Sequence, residues 1–353
     1  TKRRRNAADC VASVYYLAAG TAEFPPRHFR IRRGGIKMVP IISGPRYDGR
    51  PHYGRLKHLK EETRKKITDH QVRAFMAFAR SIRPGWRANL LAGAFIPLLR
   101  LIGVRKDVAR RNIMLCFPEK EKAEREKILA ESYESMIWTG VEMLAWQHDP
   151  SLIDRMVLEV RGIEHVEKAL KEGRGAVLFS AHLGSWELGA AWCSRHFPFY
   201  GLVRHSDSPF QRRLIETLRE NSGLRTISKD SSMKHVATLL KDNTMIGFLA
   251  DQHWGDDGMS VPFFGQNTST ASGPAAFSML TGAPMIPVAF TRIEPFKFYL
   301  SVGKPIEHPQ NMKRGEAVRS LTIRMNEEYE RMIRENPGQW LWQHRRFREM
   351  ITD

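Results

Sequence analysis

In the stretch "AVLFSAHLGSWELGAAW", Ala176 to Trp192, an apolar run ends abruptly at His182, and four residues separate that histidine from Glu187. Five positions along a helix turn through about 500°, which would point the two side chains to different faces. The spacing works if His182 precedes a helix and Glu187 lies in its first turn. Gly184 then supplies an unusual backbone angle and Ser185 a cap. Glu187 is expected to reach back to one imidazole nitrogen while the other faces a crevice. An imidazole held so is a general base, and the carboxylate fixes its tautomer and stabilises the imidazolium that forms. No Gly-x-Ser-x-Gly elbow precedes the histidine, and Cys193 falls eleven residues on, inside the expected helix. His182 should therefore activate a substrate hydroxyl directly, for attack on an activated acyl group.

Such an attack creates a tetrahedral intermediate with a negative oxygen, which a guanidinium stabilises as its charge develops. Arg219 and Arg204, the latter just after the run "FYGLV", are candidates for that contact, and Asp251 for orienting such an arginine. Each has a plainer reading: a packed histidine, a surface ion pair, a turn carboxylate. The run "DQHWGDDG" places Asp251, His253, Asp256 and Asp257 close together. Its aspartates are adjacent rather than alternating, and no glutamate follows at the offset a hard-cation loop needs. No metal and no cofactor are expected.

These residues need a frame. From about residue 105, short apolar runs alternate with helical stretches: "MVLEV", "GAVLFSA", "FYGLV", "LRTIS", "TMIGFLA", "PMIPVAF" and "FYLSVG" read as strands, with helices between most of them. Alternation of this kind predicts an α/β fold, a mostly parallel central sheet flanked by helices. Ligands in such sheets sit beyond the carboxyl ends of the strands. His182 follows one such end and Asp251 another. The segment between "TMIGFLA" and "GPAAFSMLTG" reads as a loop.

Charge is distributed unevenly. Of the net +18, residues 1–110 carry 25 Lys and Arg against 7 Asp and Glu, whereas residues 111–353 carry 31 of each. The N-terminal third should attract an anionic surface. Residues 1–85 read as a basic, partly irregular extension, with a short helix near Val11–Ala19 and a basic helix over 61–83. A domain of residues 86–353 follows. No run of 18 or more apolar residues exists, so no transmembrane helix is expected. "ANLLAGAFIPLLRLIGV", near 88–104, has cationic flanks and reads as a helix lying in a membrane interface. Cys10, Cys116 and Cys193 show no disulfide or metal spacing. A nucleic-acid-binding protein is the distant alternative that the charge suggests, but the region beyond residue 110 is neutral and carries no nucleic-acid motif.

The segment "SAHLGSWELGA" resembles the His-x4-Asp/Glu motif of the lipid A biosynthesis lauroyl/myristoyl acyltransferases, within the lysophospholipid-acyltransferase-like superfamily. "ARRNIMLCFPEKEKAEREKI", "LRENSGL", "LADQHWGDDGMSVPFFGQNTSTASGPAAFSMLTGAPMIPVAF" and "PGQWLWQHRRF" resemble further motifs of that family, in the same order, over roughly residues 86–348. The resemblance implies a glycerol-3-phosphate-acyltransferase-like fold. It also implies transfer of a fatty acyl chain from acyl carrier protein, or acyl-CoA, to a hydroxyl of a lipid A precursor. The alternative acceptor is another glycolipid or phospholipid hydroxyl. His182 carries over as base, Glu187 as its partner, Arg219 as the arginine of Arg-x3-Gly and Asp251 as an acidic residue beside the site. A place on the cytoplasmic face of the inner membrane is implied too. The acidic donor protein would meet Arg204, Arg212 and Arg213. Family members begin with a longer apolar anchor than this chain offers.

Overall fold

The computed structural model describes residues 52–350, with side chains from residue 65 onward. The expected short helix near Val11–Ala19, and Cys10, lie outside the described residues. Four helices come first: α1 (His52–Ala79), α2 (Trp86–Ile102), α3 (Lys106–Cys116) and α4 (Lys122–Ala145). After the short α5 (Leu152–Met156), strands and helices alternate as β1 (Val157–Arg161), α6 (Glu164–Lys171), β2 (Ala176–Ser180) and α7 (Trp186–His196). They continue as β3 (Phe199–Val203), α8 (Pro209–Ser222), β4 (Thr226–Ser228), α9 (Met233–Lys241) and β5 (Met245–Leu249). A hairpin, β6 (Met259–Phe263) and β7 (Gln266–Thr270), precedes α10 (Gly273–Thr281), β8 (Met285–Glu294), β9 (Lys297–Val302) and α11 (Arg314–Glu335).

Seven strands form one sheet in the order β1-β9-β8-β2-β5-β3-β4. The pairs from β8 through β2, β5, β3 to β4 are all parallel. β9 turns back antiparallel on β8, and β1 runs with β9. The sheet is thus mostly parallel, as the alternation predicts. Its central strands β2, β5 and β8 are apolar because both their faces are covered. On one face Phe179 meets Tyr329 of α11 edge-on, and Phe248 meets Phe277 of α10. The other face carries Leu178, Gly247 and Leu249 and lies under α7.

Local signals set the helix ends. A capping box links Glu121 and Glu124 at the start of α4. Ser208 accepts from the Gln211 N–H at the start of α8, with Pro209 in its first turn and left-handed Gly223 (φ 81°) at its end. Inside α4, Glu142 is fully buried and receives Nε and Nη2 of Arg292 from β8 at 2.9 and 2.8 Å. Ser135 accepts from Nη1 and Thr139 from Nη2. That satisfied network ties the N-terminal helices to the sheet.

Two findings modify the expectations. Residues 52–85, grouped with the basic extension by composition, contain a 28-residue helix whose Val72, Met76 and Ala79 are buried and which packs on α8. The segment read as a loop contains the β6–β7 hairpin. Its two-residue turn, Phe264 (φ 48°) and Gly265 (φ 73°), has the left-handed backbone of a primed turn, but Phe-Gly lacks the usual Asn-Gly signal. Packing holds Phe264 there: its N–H donates to Glu330 at 2.6 Å and the Arg334 guanidinium lies 4.7 Å from its ring centroid.

Candidate active site

β2 and β5 pair in register, Ser180 opposite Leu249. His182 and Asp251 each lie two residues past those paired ends, so the ladder itself brings them side by side. Asp251 Oδ1 lies 2.7 Å from His182 Nδ1, and Asp251 Oδ2 accepts the His182 backbone N–H at 2.9 Å and the Trp340 indole N–H at 2.7 Å. The carboxylate is fully buried. Burial would push its pKa up, but the opposing charge of His182 and these hydrogen bonds hold it down at about 2. An ionised carboxylate only accepts, so Nδ1 carries a proton and Nε2 is the nitrogen left for chemistry.

The surrounding chain fixes the ring. Leu341 N–H donates to the His182 carbonyl at 3.0 Å, Gly184 N–H to the Gln339 carbonyl at 3.0 Å, and the Thr139 hydroxyl to the Gly184 carbonyl at 2.8 Å. Gly184 is left-handed (φ 60°), and a Cβ there would lie 2.0 Å from the Phe290 carbonyl oxygen. The predicted glycine turn is therefore present and sterically required. Ser185 occupies the cap position of α7, but its hydroxyl makes no cap bond; its N–H donates to Phe290 instead.

Glu187 does not hold His182. It lies in the first turn of α7 as expected, but its carboxylate receives Arg219 Nε at 3.0 Å and Nη2 at 2.5 Å. The helix carries Glu187 towards α8, whereas β5 delivers Asp251 directly beneath the imidazole. Asp251 therefore has the orienting contact foreseen for Glu187, and Glu187 has the arginine contact foreseen for Asp251. Burial pulls the Arg219 pKa down, and the Glu187 charge and hydrogen bonds more than offset this, so it is raised. Arg204 is exposed at the end of β3 and joins neither pair. Of the residues weighed as a metal loop, Asp251 faces His182, His253 contacts Glu349 at 2.8 Å, and Asp256 and Asp257 are exposed.

An apolar cleft opens beside these residues. Its mouth is formed by Ser180, Trp186, Glu187, Val203, Arg219 and Leu249, and its depth runs between the sheet and α7. The space between its atoms, open solvent at the rim included, is about 580 Å³. Trp186 lines the cleft and stands edge-on to His182, with ring centroids 5.2 Å apart. The cleft can bind an apolar chain with its polar end near the Glu187–Arg219 pair, and Trp186 connects it to His182.

Residues 59–349 match the family model described as bacterial lipid A biosynthesis acyltransferase. The chain belongs to this family. It is 30% identical over 252 residues to a lipid A biosynthesis palmitoleoyltransferase of Escherichia coli, covering 69% of this chain and 79% of that relative. A lipid A biosynthesis lauroyltransferase of the same organism is 28% identical over 256 residues, 71% and 81% of the two chains. A phosphatidylinositol mannoside acyltransferase of Mycolicibacterium smegmatis is 32% identical over 137 residues, 37% of this chain and 45% of the relative.

Within this family frame, sequence reasoning missed three members of the site: Trp340, which holds Asp251; Thr139, which holds the His182 loop; and His344. The first and last belong to the run "PGQWLWQHRRF", visible in the sequence but without an assigned contact. His344 is buried with Nδ1 lacking a partner. Burial, then the charge of His182, depresses its pKa to about 3, so its imidazole is neutral. Thr139 gives no signal, because a threonine inside a long helix looks like any other.

Proposed function

We propose that the protein transfers a fatty acyl chain to a hydroxyl of a lipid A precursor. The observation that carries this is the His182–Asp251 pair, in contact through Trp186 with an apolar cleft, in a chain of this family. The acyl chain lies in the cleft and its thioester at the mouth. His182 Nε2 takes the proton from the acceptor hydroxyl as its oxygen attacks the thioester carbon. Asp251 holds the tautomer and stabilises the imidazolium that results. Arg219, kept in place by Glu187, faces the negative oxygen of the tetrahedral intermediate. The imidazolium returns its proton to the leaving thiolate as the carbon–sulfur bond breaks.

Acyl carrier protein is the donor in this reading. The exposed cations Arg204, Arg212 and Arg213 are where an acidic carrier would dock. The reaction takes place at the cytoplasmic face of the inner membrane. Support comes from α2, which packs on α4 through Ala88, Ala92 and Leu99 and turns Trp86, Leu90 and Leu101 outward. Arg80, Arg83 and Arg87 are exposed at its start. No single helix among the described residues is long and apolar enough to cross a membrane.

The test incubates purified protein with a lipid A precursor and acyl carrier protein loaded with a fatty acid. Mass spectrometry should find the precursor heavier by one acyl chain, with His182→Ala inactive at the same enzyme concentration. An unmodified precursor, with phosphatidylinositol mannoside acylated in its place, would move the protein to the glycolipid reading that the Mycolicibacterium relative suggests.

A further inference from the structure

On the sheet face beneath α7, Leu178, Gly247 and Gly201 stand in one row, because β2 and β3 both pair with β5 at Gly247. Two of the three have no side chain. Glycine weakens a strand interior and marks a place where something approaches closely. At Gly247 that something is Phe199: a Cβ there would lie 2.5 Å from the Phe199 ring. At Gly201 nothing fills the gap. A Cβ would meet only Leu224 Cδ1 at 3.8 Å and Phe199 Cε1 at 3.9 Å, both ordinary contacts. Its backbone is not left-handed, so a larger residue is conformationally allowed. Gly201 and Phe199 both line the cleft, and the Phe199 ring is folded over Gly247. From Val203 at the mouth to Phe199 the strand rises about 13 Å.

We propose that Gly201 is a specificity-determining residue that sets how long an acyl chain the protein accepts, with the Phe199 ring as the end stop. The proposal rests on the acyl-transfer reading above. A methyl group at Gly201 points into the path of the chain and collides with no protein atom, so it should shorten the accepted chain while the fold survives. Apolar pockets discriminate a single methylene by about 10–200-fold in kcat/KM. A shift of that size is therefore expected from one added carbon.

The experiment measures kcat/KM for wild type, Gly201→Ala, Gly201→Val and Phe199→Leu with saturated acyl-CoA and acyl-carrier-protein thioesters of increasing even chain length. The acceptor is a lipid A precursor, and thermal unfolding checks each variant. Gly201→Ala should lower kcat/KM for the longest accepted chain at least tenfold relative to the chain two carbons shorter. Gly201→Val should move the optimum further in the same direction, and Phe199→Leu should move it towards longer chains. An unchanged length profile in folded Gly201→Ala, with wild type active, overturns this proposal alone. Transfer of no chain by wild type overturns the acyl-transfer reading and this proposal together. Should Gly201→Val fail to fold, Gly201→Ala and Phe199→Leu still decide the question.

Discussion

At the scale of single residues, the partner exchange between Glu187 and Asp251 separates two kinds of loss. Asp251→Asn removes the ionised acceptor that fixes the His182 tautomer, and should cut turnover by about 10²–10⁴-fold, comparable to His182→Ala. Glu187→Gln leaves imidazole and aspartate untouched but strands the Arg219 guanidinium. It should lower stability by up to about 3–5 kcal/mol, read by urea unfolding, with its effect on turnover passing through Arg219. A normal unfolding midpoint in Glu187→Gln together with an Asp251→Asn-like loss of turnover would return the glutamate to the histidine. His344 makes a separate case. Its folded pKa, about 3, lies below the ordinary 6.5. Between those values the unfolded chain binds a proton that the native state does not, so stability falls as pH drops from about 6.5 to 3. The slope is about 1.4 kcal/mol per pH unit for this one group. His344→Phe should flatten that limb of the stability profile while leaving the Asp251 contribution, which is lost only as pH falls from about 3.8 towards 2.

At the scale of elements, the turn between β2 and α7 is the most demanding piece. Gly184→Ala would place a methyl against the Phe290 carbonyl and force a left-handed angle on alanine. The expected outcome is a displaced His182 loop, seen as lost transfer and a lowered unfolding temperature. Retention of both at wild-type level would mean the turn relaxes freely. Much of this element was legible beforehand: an apolar strand, a histidine at its end, a glycine turn and a helix starting near Trp186. The His182 contact was not. Spacing along a chain reports what shares a helix, and Glu187 is close in sequence. Asp251 reaches His182 only through strand pairing, which a linear pattern does not encode. The same blindness hid Trp340, whose indole arrives from the far end of the chain. The β6–β7 hairpin went unread because its turn, Phe264-Gly265, is stabilised by Glu330 and Arg334 of a distant helix rather than by its own residues.

At the scale of the whole molecule, the apolar face of α2 and the cations around it belong together. Trp86 and Leu101 are 69% and 84% exposed, which is costly in water and favourable in a lipid interface. In vesicle sedimentation, the protein should bind bilayers containing anionic lipid more strongly than neutral ones, and added salt should weaken the difference. The double variant Trp86→Ser/Leu101→Ser should bind less to both. Equal binding by the variant would place the lipid contact elsewhere. Charge asymmetry was the readable part of this surface; which apolar residues it left uncovered depended on how α2 packs against α4.

His182 and Asp251 are 69 positions apart, yet their separation is fixed by two hydrogen-bonded strands and two residues beyond each. Lengthening the exposed loop between β4 and α9, even by many residues, should leave the pair in place. Inserting one residue after Ser180 or after Leu249 rotates one partner out of reach and should silence it. Tolerance to insertion along this segment is therefore a map of where the chemistry is anchored.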